Sequence, residues 1–131
     1  MTVVVDTSAL VAIALDEPEA DALIEALEVA DALMISPMTY VELGIVLLGR
    51  NLMPSRDILD DWLALYRVQI AQTPVIDTAA LDAYLRYGKG RNPARLNLSD
   101  CFAYALAKAL DAPLLYKGDD FSQTDVRSAL A

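Results

Sequence analysis

The fold is decided at residues 2–10, which read Thr2-Val3-Val4-Val5-Asp6-Thr7-Ser8-Ala9-Leu10. The first four residues are mostly β-branched and apolar, and such a short run predicts a buried strand. Asp6, Thr7 and Ser8 are residue types that favour the start of a helix, and an apolar helical segment follows them. A strand that passes directly into a helix is the first unit of an α/β protein.

The same alternation continues along the chain. Strands are predicted at residues 33–36 and 113–116, with a weak strand or a connection at 73–76, and helices at residues 18–30, 38–48, 55–66, 78–87 and 97–110. Alternating strands and helices favour a parallel sheet with helices on its faces. A length of 131 residues is that of one domain, so we expect a single α/β domain over residues 1–131.

Composition removes several classes of chemistry. The chain has no histidine, which excludes Ser-His-Asp and Cys-His catalysis and most zinc sites. Cys101 is the only cysteine, so no internal disulfide forms. We see no signal peptide and no apolar run near the roughly 20 residues that span a bilayer, and we therefore expect a cytoplasmic protein without a membrane partner.

Four acidic residues are candidates for the functional site, and two of them stand where chemistry is expected in a parallel sheet. Asp6 and Asp119 follow predicted strands, and ligands bind outside the carboxyl ends of such strands. Glu42 lies in a helix that is apolar nearly all round and is therefore expected to be buried, and Asp100 opens a later helix.

Each acid also has an ordinary structural interpretation. Asp6 is a good N-cap, Asp100 resembles the acid of a capping box begun by Asn97, and Asp119 lies in a turn. Glu42 would then pair with an arginine or occupy a narrow exposed stripe. As a group, however, several carboxylates at one sheet edge repel one another, and a divalent cation removes that conflict. Oxygen-only ligands suit Mg²⁺ or Mn²⁺.

The order and spacing of these segments resemble those of PIN-domain ribonucleases, and more closely the VapC toxins of type II toxin–antitoxin systems. The resemblance rests on residues 3–10, on Glu42, and on the segments 97–107 and 114–121. It implies an α/β/α sandwich with a central parallel sheet and an endoribonuclease that depends on Mg²⁺, with Mn²⁺ as the alternative.

The resemblance also implies roles for individual residues. Asp6 and Asp100 would be metal ligands, with Glu42 and Asp119 completing the catalytic acidic site. Asp120 could share or replace the role of Asp119, and the sequence leaves both open.

Further expectations concern neighbours of the acids and one departure from the relatives. Thr7 or Ser8 is expected to orient a water or a ligand. Close relatives often have a His-Pro pair where this chain has Asn92-Pro93, so any role of that histidine is absent.

Basic residues cluster before the segment that holds Asp100, although the chain has a net charge of −9. The cluster consists of Arg86, Lys89, Arg91 and Arg95. One interpretation is a clamp for RNA phosphates beside the metal site, and the other is a solvated face that balances the acidic surface. Tyr87 is either a platform for a base or a packing residue.

An apolar content of 56% predicts surface that is reserved for partners. We expect a homodimer that binds a small VapB-like antitoxin, with a partner helix lying along helix 38–48 and the stripe formed by Ile58, Trp62 and Tyr66. The alternative to an enzyme is a catalytically silent PIN-fold module that binds RNA or protein. The four intact acids favour the enzyme.

Overall fold

The computed structural model describes residues 1–72 and 76–130. Within them the strands are β1 (Thr2–Val5), β2 (Ala32–Ile35), β3 (Val68–Ile70) and β4 (Leu114–Leu115). The helices are α1 (Thr7–Ala14), α2 (Ala20–Val29), α3 (Pro37–Gly49), α4 (Arg56–Leu65), α5 (Asp77–Tyr87) and α6 (Leu98–Ala109), and a short 3₁₀ turn covers Phe121–Gln123.

The four strands form one parallel sheet in the order β3-β2-β1-β4. The chain moves outward from β1 to β2 and β3, and then crosses to the opposite side of β1 to add β4. The order of the strands therefore reverses between β1 and β4. The carboxyl end of such a switch point is where open α/β sheets bind ligands.

Residues of one strand alternate between the two faces of the sheet, and each face carries its own apolar cluster. Val3 and Val5 lie in the cluster that α1 to α4 cover, whereas Val4 lies in the cluster that α5 and α6 cover. Both clusters are fully buried at the sheet. The predicted α/β/α sandwich with a central parallel sheet is confirmed.

The edge strand β3 was not predicted from the sequence. It has only three residues, and its middle residue, Gln69, is exposed. The alternation of Val68, Gln69 and Ile70 is too short to distinguish an edge strand from a loop. The predicted weak strand at 73–76 lies outside the described residues except for Ile76, which is not part of a strand.

The expectation that the helix around Glu42 is buried all round was wrong. Only the stripe of Thr39, Leu43 and Leu47 in α3 is buried, while Val41 and Ile45 are 53% and 68% exposed. The helix packs on α1, α6 and α4 along one side, and nothing in the described chain covers the other side. An apolar helix is buried only where it has a neighbour to pack on.

In the described parts of the chain, no helix is both long enough and apolar enough to cross a membrane.

Candidate active site

Asp6 is placed at the carboxyl end of β1, where it is also the N-cap of α1. Its Oδ2 accepts a hydrogen bond from the Ser8 backbone N–H at 3.0 Å. The residue is only 3% exposed, and its Oδ1 is buried without a hydrogen-bond partner among the described residues. Burial raises the pKa of Asp6 to about 6, the hydrogen bonds from Ser8 oppose that rise, and the charge of Glu42 adds to it. The cap thus uses one oxygen and leaves the other available.

Asp100 lies in the first turn of α6 and forms a capping box with Asn97. Asp100 Oδ2 accepts from the Asn97 N–H at 3.0 Å, and Asn97 Oδ1 accepts from the Asp100 N–H at 2.9 Å. The pKa of Asp100 is raised to about 7, chiefly by burial and then by the charges of Asp6, Glu42 and Asp120, against the opposing backbone hydrogen bond from Asn97. The pKa of Asp100 therefore depends on the charges of three other acids.

Glu42 stands in the second turn of α3, which begins where Ser36 caps the helix and Pro37 occupies its first position. Ser36 Oγ accepts from the Thr39 N–H at 3.0 Å, and this bond fixes the start of the helix at the carboxyl end of β2. The Glu42 side chain is half-buried, and none of the ion pairs in the described chain includes it. The arginine partner that would explain Glu42 structurally is not found there.

The turn after β4 holds the remaining two acids. Gly118 has a φ of +100°, which favours glycine, and it turns the chain so that Asp119 and Asp120 follow on the surface. Both are exposed, and the Asp119 carbonyl accepts from Ser122 Oγ at 2.6 Å. The charge of Asp120 is the smallest of the contributions that raise the pKa of Asp100.

Several buried hydroxyls accompany the acids. Thr7 Oγ1 and Ser99 Oγ are buried and have no hydrogen-bond partner among the described residues, as is also true of Asp6 Oδ1. Thr7 follows Asp6 and Ser99 precedes Asp100. Unsatisfied polar atoms of this kind are rare in folded proteins and call for an explanation such as an ion or ordered water.

The donors present fit a hard divalent cation. Among residues 1–72 and 76–130, no three acidic or cysteine side chains stand close enough to hold one metal ion together. A closed protein cage is therefore excluded for the described chain in this arrangement. Mg²⁺, however, usually keeps several waters and needs only one or two carboxylates, and the free oxygen of Asp6 beside Asp100 supplies that kind of site.

The basic cluster divides into two residues with internal partners and two without. Arg86 lies 3.9 Å from Asp125 and over the ring of Tyr87, and Arg91 Nε donates to the Leu85 carbonyl at 3.0 Å. Lys89 and Arg95 are exposed and form no ion pair within the described residues.

Tyr87 has the packing role rather than the role of a base platform. It is only 6% exposed, and its ring meets Tyr104 edge-on at 5.5 Å. The next residue, Gly88, has no space for a side chain, because a Cβ there would lie 2.3 Å from the Tyr84 ring. The basic loop that follows α5 therefore begins at a helix end that is held in place by close packing.

The comparison with known families now decides the assignment. The PIN domain matches residues 3–127, nearly the whole chain. This chain belongs to the PIN-domain family. Its relatives include Ribonuclease VapC of Mycolicibacterium smegmatis, 47% identical over 127 residues that cover 94% of this chain and 96% of the relative. Ribonuclease VapC30 of Mycobacterium tuberculosis is 43% identical, and the match covers 94% of this chain and 95% of the relative.

Solved structures show the same fold. A crystal structure of VapC20 from Mycobacterium tuberculosis, described as a toxin that cleaves the sarcin–ricin loop, superposes with a TM-score of 0.69. It is 17% identical and the match covers 95% of this chain and 98% of that one. A toxin–antitoxin complex from Klebsiella pneumoniae gives a TM-score of 0.69 at 19% identity, over 94% and 92% of the two chains. At these identities the likeness concerns the fold.

Within this PIN domain, two features of the site were not found from the sequence. No role was predicted for Ser99, which precedes Asp100 and whose hydroxyl has no partner among the described residues, because serine is an ordinary residue in a first helical turn. Lys117, which joins the β4 turn to α1, was missed as well; its position directly before Gly118 and two acids was the available signal. Asn92, in the place of the relatives' histidine, holds the basic loop through its Oδ1, which accepts from the Ala94 N–H at 2.8 Å.

Proposed function

We propose that this PIN-domain chain is a divalent-metal-dependent endoribonuclease and the toxin of a type II toxin–antitoxin pair. One observation carries the proposal: at the switch point of the sheet the buried Asp6 keeps an oxygen without a hydrogen-bond partner among the described residues, and the charges of Asp6 and Glu42 raise the pKa of the half-buried Asp100. Such an arrangement is unfavourable without a cation. The relatives named Ribonuclease VapC support RNA as the substrate.

The acids have distinct parts in this proposal. Asp6 and Asp100 bind the cation, and Glu42 adds the third negative charge from α3. The fourth acid comes from the β4 turn, where Asp119 is the sequence prediction and Asp120 is favoured by its effect on the pKa of Asp100. Thr7 or Ser8 orients a water or a ligand beside Asp6. A divalent cation there would lower the pKa of a water for attack on the phosphodiester and neutralise charge on the leaving oxygen.

The choice of metal follows from the donors. Carboxylate and hydroxyl oxygens are hard ligands, and the chain has no histidine to favour a softer ion. We propose Mg²⁺ as the cofactor, with Mn²⁺ able to replace it.

The RNA backbone is proposed to lie along the loop between α5 and α6. Lys89 and Arg95 are the residues of the cluster whose charges are not engaged within the described chain, so they are the better candidates for phosphate contacts. Arg86 and Arg91 support the loop and contribute less to binding.

The decisive experiment is cleavage of total RNA by the purified protein with Mg²⁺ and with EDTA, followed by analysis of the new ends. We expect cleavage with Mg²⁺ alone, leaving 5′-phosphate and 3′-hydroxyl ends, because attack by water avoids the ribose 2′-hydroxyl. Asp100→Asn is the inactive control. Ends with 2′,3′-cyclic phosphate would contradict the mechanism, and no cleavage by a protein that still binds RNA would favour the catalytically silent module.

The exposed apolar side of α3 and α4 is the proposed surface for the antitoxin. Val41 and Ile45 lie one turn apart on α3, and Ile58 on α4 is 44% exposed. Trp62 and Tyr66 are half-buried and pack edge-to-face at 5.3 Å. They pack against the core, so only part of each ring is available to a partner. A partner helix in this groove would lie beside Glu42, and the resemblance to VapC toxins implies that an arginine of the partner enters the acidic site.

Binding of the antitoxin and dimerisation are tested separately. Val41→Ser with Ile45→Ser should weaken binding of the cognate antitoxin, whereas Leu81→Ser on α5 is the matched exposed control. A mass of one chain at tens of micromolar by light scattering would contradict the proposed homodimer. RNA and the antitoxin are components of the cytoplasm, so the cytoplasmic location belongs to the same proposal.

A further inference from the structure

The turn that holds Asp119 and Asp120 is joined to the first helix by a contact between residues 109 positions apart in the sequence. The Lys117 backbone N–H donates a hydrogen bond to Ser8 Oγ at 3.0 Å. Lys117 stands directly before Gly118, where the chain turns. The bond therefore fixes the turn at the residue where it begins.

The side chain of Lys117 makes a second attachment to the same region. Its Nζ lies 3.0 Å from Glu17 Oε1 and 3.3 Å from Glu19 Oε2, in the connection between α1 and α2. These side chains are one-third to one-half exposed, and ion pairs of that kind contribute little to global stability. Two partners on one ammonium nevertheless restrict where the lysine, and hence the turn, can lie.

Ser8 connects this tether to the buried acid of β1. Its backbone N–H donates to Asp6 Oδ2 at 3.0 Å, and this bond lowers the pKa of Asp6 against the effect of burial. One residue thus contacts both the carboxylate after β1 and the backbone after β4. These are the two strands that border the switch point.

An electrostatic role for Lys117 is less consistent with the contacts. A lysine that neutralised the acidic site would have its ammonium beside Asp6 or Asp100. Instead its ammonium is paired with Glu17 and Glu19, and the hydrogen bond with Glu17 raises the pKa of Lys117. The geometry leaves the lysine a role in placing the turn.

We propose that Lys117 is a positioning residue, which holds the turn of Gly118 to Asp120 at a set distance from Asp6 through Ser8, Glu17 and Glu19. The inference rests on the proposed function in that the turn supplies the fourth acid of the metal site. Without these contacts the turn moves, and metal binding then includes the entropy cost of ordering the turn. Loss of a direct hydrogen-bond partner of a metal ligand typically lowers metal affinity about 10- to 100-fold, and Lys117 acts one contact further away, so we expect an effect at the lower end.

The test compares Lys117→Met, which keeps the stem and removes the ammonium, with Lys108→Met as the matched control. Lys108 also pairs with a carboxylate, Asp125, at 3.3 Å, but near the far end of α6. Two measurements are made on the whole protein: hydrogen exchange of the peptide over residues 117–121 in EDTA, and Mn²⁺ affinity by calorimetry. Melting temperature serves as the check on folding.

We expect Lys117→Met to exchange faster over residues 117–121 and to bind Mn²⁺ about tenfold more weakly, with a melting temperature near that of the parent. Lys108→Met should match the parent in both measurements. Lys117→Arg should recover most of the affinity, and Ser8→Ala should reproduce the faster exchange because the Lys117 N–H loses its acceptor.

Unchanged exchange and affinity in Lys117→Met would overturn the tether. The exchange measurement needs no metal, so it separates this inference from the proposed function. If the parent binds no metal and cleaves no RNA, the proposed function fails, and exchange over residues 117–121 still decides whether Lys117 holds the turn.

Discussion

Asp100→Asn tests whether the acidic cluster is an unfavourable arrangement that the fold keeps for its chemistry. The substitution removes one charge at nearly constant shape. The amide Oδ1 can still accept from the Asn97 N–H, so the capping box at the start of α6 is retained. We therefore expect loss of RNA cleavage without loss of the fold.

The sign of the effect on stability follows from the pKa of Asp100. The pKa is about 7 in the folded protein against 3.8 for an unperturbed aspartate, so the folded state binds the proton more tightly than the unfolded chain. Above pH 7 the charged carboxylate destabilises the fold in full. As pH falls from 7 to about 4 the folded state gains a proton first and stability rises, and below about 4 both states are protonated and the gain is complete.

The magnitude can be bounded from the same shift. About three pKa units at 1.36 kcal/mol each give an upper limit of about 4 kcal/mol. Asp100 is only half-buried and water screens its neighbours, so we expect about 1–2 kcal/mol. In EDTA at pH 8 the free energy of unfolding of Asp100→Asn should exceed that of the parent by this amount. The difference should shrink towards pH 5, although the titration of Asp6, with its pKa near 6, is coupled to it.

The assay is urea unfolding by circular dichroism at pH 8, 7, 6 and 5 in EDTA, repeated with millimolar Mg²⁺. Mg²⁺ should stabilise the parent by mass action and the variant much less. Asp100→Ala is the control for capping, and should be less stable than Asp100→Asn by about 0.5–1 kcal/mol. If Asp100→Asn in EDTA is less stable than the parent at pH 8, Asp100 is chiefly a structural cap and the reasoning is refuted.

Three further predictions concern the loop and the β4 turn. Lys89→Ala with Arg95→Ala should weaken RNA binding and reduce the slope of log affinity against log salt concentration by roughly one unit per lost phosphate contact. An unchanged slope would mean that these residues only form a solvated face. Asp120→Asn should impair Mg²⁺-dependent cleavage more than Asp119→Asn in paired rate measurements, and the reverse order would return the role to Asp119. Gly118→Ala should lower the free energy of unfolding by about 1 kcal/mol in urea titrations, because its φ of +100° is strained for alanine; equal stability would mean that the turn relaxes easily.

The sequence was sufficient for the parallel sheet because β1 and β2 are apolar and are followed directly by helix starts. It was insufficient for β3, whose three residues make an edge strand only because β2 lies beside them. It also misjudged the helix around Glu42, since burial depends on the neighbours that a helix meets and not on its own composition. Those neighbours are α1, α4 and α6, which approach α3 along one side.

Long-range pairs account for most of what the sequence could not show about the site. Arg86 and Asp125 are 39 positions apart, and their contact turns a predicted RNA-binding arginine into one that is partly engaged within the chain. Ser8 and Lys117 are further apart still. The sequence near each residue does not indicate its partner. A charged or hydroxyl side chain could pair with many others, and only the fold determines which one lies close.

The proposal that Asp6 and Asp100 are ligands as well as helix-start residues is supported by the chemistry of a carboxylate. A cap needs one acceptor oxygen, and a carboxylate has two. Asp6 gives Oδ2 to the Ser8 N–H and keeps Oδ1 buried and unpartnered, while Asp100 gives Oδ2 to the Asn97 N–H. Serine or asparagine at position 6 would cap α1 without the burial cost that raises the pKa of Asp6. In α6 the N-cap is already Asn97, and Asp100 is the acid of its capping box in the first turn. The buried aspartate at position 6 therefore fits a second demand on that side chain, and the oxygen that Asp6 leaves free is where we propose that this demand is met.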